Sequence, residues 1–160
     1  MTDYFALLDQ PRKPWIDLNE LEEKYHALAR ASHPDQSKKP TADFAEVNRA
    51  YRVLRDPKQR VEHLLALEGR KIASTTSEIP NDLAELFMEV ASAMKTGGGK
   101  QITGLLTTLE QHFEDALQQL HVLSEKWNGD ATALSKVEHL QQRFSFLTRW
   151  KDLLAERTAP

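Results

Sequence analysis

Cysteine is absent from the 160 residues. That removes disulfide staples, thiol nucleophiles and thiolate-held zinc or iron–sulfur clusters from consideration. No stretch approaches the roughly 20 apolar residues of a membrane-spanning helix. The start, Met1-Thr-Asp-Tyr-Phe, has neither the basic residues nor the apolar run of a signal peptide. A cytoplasmic protein with no membrane partner is expected. A strong charge of either sign is lacking too. The net charge is −3, and the acidic excess lies entirely after residue 70, so bulk electrostatics give no reason to expect nucleic-acid binding.

Chemistry-bearing patterns are equally scarce. Thr96-Gly97-Gly98-Gly99-Lys100 lacks the glycine spacing of a phosphate loop, and no Ser or Thr follows the lysine. His26 and His33 stand seven apart, but Pro34 turns the chain at His33, and His63, His112, His121 and His139 lack a same-helix His or carboxylate arrangement typical of zinc or di-iron centres. No nucleophile elbow accompanies a Ser/His/Asp set. The expectation is a protein without catalytic residues, metal or cofactor, and not an enzyme.

What the chain does have is helical periodicity throughout. Asp17 and Glu20 form a capping box, with Ile16 and Leu21 as its hydrophobic staple. Leu18, Leu21, Tyr25 and Leu28 then recur at helical steps. Phe44, Val47, Tyr51 and Leu54 mark a second amphipathic helix. Asp56-Pro57-Lys58-Gln59 opens a third, which Gly69 ends. Residues 71–80 are small and polar, and we expect a linker there between domains at 1–70 and 81–160. Beyond it, three stripes predict a three-helix bundle. They are Leu83, Leu86, Phe87, Val90, Ala91 and Met94; Ile102 through Leu120; and Leu134 through Leu154. Turns at Gly97–Gly99 and Asn128-Gly129-Asp130 separate them. No segment alternates as a strand does, so the fold class is all-α. Phe146, Trp150 and Leu153 form a second stripe on the last helix, which either marks a partner surface or packs under the first domain.

Between the first two long helices stands His33-Pro34-Asp35. Proline cannot continue a helix and biases the residue before it away from helical angles, so an imidazole and a carboxylate are displayed on a tight loop. Arg49, Arg52, Arg55, Lys58 and Arg60 lie farther on. They read as a basic rim for an acidic partner, or as an ordinary solvated face.

The Tyr4-Phe5 start, the His33-Pro34-Asp35 loop, Asn48-Arg-Ala-Tyr51-Arg-Val-Leu54 and Asp56-Pro57 together resemble a J-domain over residues 3–69. Asp3-Tyr-Phe5, Arg60-Val-Glu-His-Leu64-Leu65-Ala-Leu67-Glu-Gly69 and the C-terminal bundle are similar to HscB-type co-chaperones. The resemblance implies a J-domain helical hairpin with flanking helices, followed by a client-binding bundle. It implies docking on a DnaK/HscA-type ATPase chaperone through His33, Pro34 and Asp35, with Lys24 and Arg30 as basic contacts. It further implies delivery of an IscU-like iron–sulfur scaffold held at Phe87 and Met88. Gln36 stands where many J-domains carry Lys or Arg, and Ser32 replaces an aromatic, which separates this chain from generalist DnaJ proteins. Ala91, Ser92 and Lys95 stand where the scaffold-binding helix of the family carries apolar and acidic residues. Two readings stay open beside this one: a specialised J-domain co-chaperone for another client, and a plain helical interaction module. Self-association is also left open.

Overall fold

The computed structural model describes residues 1–32, 42–74 and 78–158. All regular structure among them is helical. The helices are α1 (Tyr4–Leu7), α2 (Leu18–Ser32), α3 (Ala42–Arg55), α4 (Pro57–Leu67), α5 (Ala84–Thr96), α6 (Gly99–Glu125) and α7 (Ala131–Thr158); a single 3-10 turn, Asn81–Leu83, leads into α5. None of these helices is long and apolar enough to cross a membrane.

The local signals act where the sequence puts them. Asp17 Oδ1 accepts from the amides of Asn19 and Glu20, while Ile16 and Leu21 are both buried. Asp56 accepts from the Gln59 amide with Pro57 at the first helical position. Gly69, at φ +70°, ends α4: its amide bonds to Ala66 and that of Arg70 to Leu65, the paired bonds of a Schellman close. Asp130 caps α7 through the Ala133 amide at 2.8 Å. Gly97 is required by a close approach, since a Cβ there would lie 2.5 Å from the Ala93 carbonyl oxygen.

Helices α2 and α3 pair as the expected hairpin. Tyr25 and Tyr51 stack at 4.1 Å, and the Tyr25 hydroxyl donates to Asn48 Oδ1. Phe5, Leu8, Ile16, Leu21, Val47, Ala50, Leu54, Val61, Leu64 and Leu65 fill the space between α1, α2, α3 and α4. This core continues into the second half, for Ala116 and Leu120 of α6 and Val137, Leu140 and Phe144 of α7 belong to it. Helix α4 lies against α7. The loop before α2 is anchored as well: the Trp15 amide donates to Ser124 Oγ at 2.7 Å, and its indole meets His121 at 4.2 Å.

A second core holds α5 on the α6–α7 hairpin and completes the three-helix bundle. Leu83, Leu86, Val90 and Ala93 meet Ile102, Leu105 and Leu109 on one side and Phe146, Leu147, Trp150 and Leu154 on the other. Two expectations are corrected here. Phe146 and Trp150 are buried beneath α5, forming neither a partner surface nor a seat for the first half, and Leu153 is half-buried. The buried row of α5 is 83-86-90-93, so Phe87, one step of about 100° from Leu86, is left at the rim and is 38% exposed.

Candidate functional site

Two faces carry the candidate residues. The first is α2 with the loop that follows it. His33, Pro34 and Asp35 lie outside the described residues. Lys24 and Arg30 are both exposed on α2, but six positions place them about 120° apart around the helix axis, so they do not form one patch. Lys24 Nζ donates to Asp9 Oδ2 at 2.9 Å. This bond holds the lysine above its ordinary pKa and the aspartate below its own. Arg30, in the last turn of α2, has no ion pair among the described residues.

The basic rim is smaller than the sequence suggests. Arg49 pairs with Glu46 at 2.8 Å and Lys58 with Glu62 at 3.0 Å. Arg60 is only 2% exposed; its Nε donates to the Pro14 carbonyl at 2.7 Å and its Nη1 to the Leu54 carbonyl at 2.8 Å. Burial pushes its pKa down to about 10. The cause lies at the α3–α4 corner. The last carbonyls of α3 lack helical donors, and an arginine one turn into α4 reaches back to supply them. Arg52 and Arg55 remain exposed, the latter with its guanidinium 5.4 Å from the Tyr51 ring centre.

The second face is the outer side of α5. Met88 is 65% exposed and leans towards α6, where it lines a groove of about 510 Å³ with Glu85, Glu89, Ser92, Gln101 and Leu105. Phe87 leans the other way, its ring 6.0 Å from that of Trp150. The neighbouring pair therefore straddles α5. Glu85 and Gln101 were not singled out from the sequence. Glu85 was legible, lying three positions before Met88 and on its face. Gln101 was not, since only the α5–α6 packing brings it there. The groove offers an apolar methionine and leucine between two carboxylates, a surface suited to a protein partner with apolar and basic side chains.

A family model described as the DnaJ domain matches residues 3–63. A co-chaperone HscB homologue of Azoarcus sp. is 35% identical over 126 residues, covering 71% of each chain. An HscB homologue of Mannheimia succiniciproducens is 27% identical and spans 98% of this chain and 99% of its own. The human iron–sulfur cluster co-chaperone HscB is 30% identical over 71% of this chain and 54% of its own length. The crystal structure of human HscB superposes with a TM-score of 0.78 at 19% identity, covering all of this chain and 84% of that one. The J-type half, the bundle and their arrangement are thus shared features, and this chain belongs to the HscB family of J-domain co-chaperones.

Proposed function

We propose that this co-chaperone serves iron–sulfur cluster assembly by stimulating ATP hydrolysis in a DnaK/HscA-type chaperone and bringing an IscU-like scaffold protein to it. Residues 1–70 act as the J-domain, 71–80 as the connection and 81–160 as the scaffold-binding bundle, in the cytoplasm. His33, Pro34 and Asp35 contact the chaperone, and Arg30 and Lys24 add separate basic contacts to it. Met88 and Phe87 contact the scaffold, joined by Glu85 and Glu89. The ATPase chemistry belongs to the partner. This chain accelerates it only by binding more tightly to the hydrolysis-competent conformation than to the other. The observation that carries the reading is the family match across both halves of the chain, supported by the exposure of Met88 beside an acid-rimmed groove.

Single-turnover hydrolysis by the cognate chaperone tests it. Wild type accelerates the reaction, whereas His33→Gln and Asp35→Asn do not; equal rates with and without the wild-type protein overturn the proposal. A second reading, a J-domain co-chaperone for another client, is favoured by Ser92 and Lys95, both exposed on α5. Titration with the scaffold separates the two. Under the first reading binding is detected and Met88→Ala weakens it, and absence of binding supports the second.

A further inference from the structure

The two halves meet chiefly through apolar side chains, in the core shared by α4, α6 and α7. Burial of this kind is non-directional, so it holds surfaces together without choosing one register over its neighbours. Against that seam one polar side chain stands out. Gln141 of α7 is fully buried. Its Oε1 accepts from the Ala73 amide at 3.0 Å, and its Nε2 donates to the Ala73 carbonyl at 3.0 Å. Nε2 also reaches Ser145 Oγ at 2.9 Å, one turn farther along α7, and Glu62 Oε2 of α4, in the J-type half, at 3.4 Å.

Pairing with both peptide groups of one residue requires a donor and an acceptor side by side, which among side chains the primary amide supplies. The amide takes the place of a neighbouring strand for the stretch that joins the halves. On either side the same stretch is tied more superficially to α7, by Arg70 with Glu138 at 2.8 Å and by Gln142 with the Glu78 carbonyl at 2.8 Å. A buried polar group whose partners exist in one arrangement only makes every other register leave it unpaired.

We propose that Gln141 is a positioning residue: by clasping Ala73 of the connection and reaching Glu62 of α4, it fixes the orientation of the J-type half relative to the client face of α5. The inference rests on the co-chaperone reading for its functional consequence, but not for its structural one. Chaperone and scaffold must be engaged by one body, so a loosened seam costs their coupling before it costs either contact.

The absence of cysteine lets two spin labels be introduced cleanly, through Glu23→Cys on α2 and Ser92→Cys on α5. The label-to-label distance distribution is expected to be narrow in the parent and in Gln142→Ala, and broad in Gln141→Met, which keeps much of the side-chain volume but none of the side-chain hydrogen bonds. A parental width in Gln141→Met overturns the proposal. If that variant does not fold, amide exchange in the unaltered chain decides. The Ala73 amide should be protected while those of Lys71 and Ile72 exchange fast, and fast exchange at Ala73 overturns the proposal equally. With unlabelled chains, Gln141→Met should stimulate the chaperone ATPase like the parent when the scaffold is absent. It should lose roughly fivefold of the extra stimulation that the scaffold brings, the low end of couplings between sites. A merely destabilised protein would lose both together. If even the parent fails to stimulate, the co-chaperone reading falls while the distance measurement still judges Gln141.

Discussion

Replacing Arg60 by methionine separates a structural arginine from a docking one. The guanidinium gives two charge-assisted hydrogen bonds to backbone carbonyls, at Pro14 and Leu54, worth about 1.5–3 kcal/mol each. Its burial opposes them: a pKa pushed down to about 10 corresponds to roughly 3 kcal/mol against the charged form. The side chain therefore comes out near break-even or slightly favourable as it stands. Removing it is another matter, because both carbonyls are then left buried without a donor, at about 1–3 kcal/mol each. Arg60→Met keeps much of the aliphatic volume, so the expected loss is about 2–4 kcal/mol, a fall in Tm on the order of 5–10 °C. Urea unfolding followed by circular dichroism measures it. The salt dependence of chaperone association should stay at the wild-type value, since Arg60 presents no charge to a partner. A loss under about 0.5 kcal/mol, or a weakened salt dependence, would refute this account and return Arg60 to the basic rim.

Three further outcomes are expected. The Tyr4 amide donates to His63 Nε2 at 3.1 Å, so the fold needs the neutral imidazole, and burial lowers the His63 pKa. The resulting stability is fully present above the ordinary histidine value of about 6.5 and lost as pH falls through the lowered folded value. His63→Gln, which keeps an acceptor without titrating, should flatten the dependence of the urea midpoint on pH in that window. Gly97→Ala drives a Cβ into the Ala93 carbonyl and should cost about 1–3 kcal/mol, whereas Gly98→Ala, with open space around it, should stay within about 0.5 kcal/mol; calorimetry of the pair checks the contrast. Lys24→Ala removes an exposed ion pair with Asp9 and should leave the urea midpoint unchanged while lowering chaperone ATPase stimulation at low salt.

Much of the fold was legible because its signals are local. Asp17, Asp56-Pro57, Gly69 and Asn128-Gly129-Asp130 each act within a turn of themselves, and helix period alone separates α5, α6 and α7. The failures share a different origin. Hydrophobicity placed Phe87 on a buried stripe and left the partner of Trp150 open, because which of two adjacent rows on α5 faces inward is decided by α6 and α7 together. Charge counting placed Arg60 on a rim because its acceptors, Pro14 and Leu54, belong to other elements. Gln141 passed unremarked: a glutamine in a polar stretch of helix reads as solvated, and its partner lies 68 residues away. On the candidate faces the loop motif was conspicuous in sequence, as was Met88, but the groove beside Met88 exists only once α6 supplies Gln101 and Leu105.

The shared first core bears on how such proteins exchange parts. Val61, Leu64 and Leu65 are covered jointly by their own half and by Val137, Leu140 and Phe144 of α7. A graft of residues 1–70 onto a relative's bundle therefore transplants half of a contact surface. The recipient's α6 and α7 must offer matching volume, so compatible chimaeras have their junctions chosen by the facing row of α7 and not by the connection between the halves.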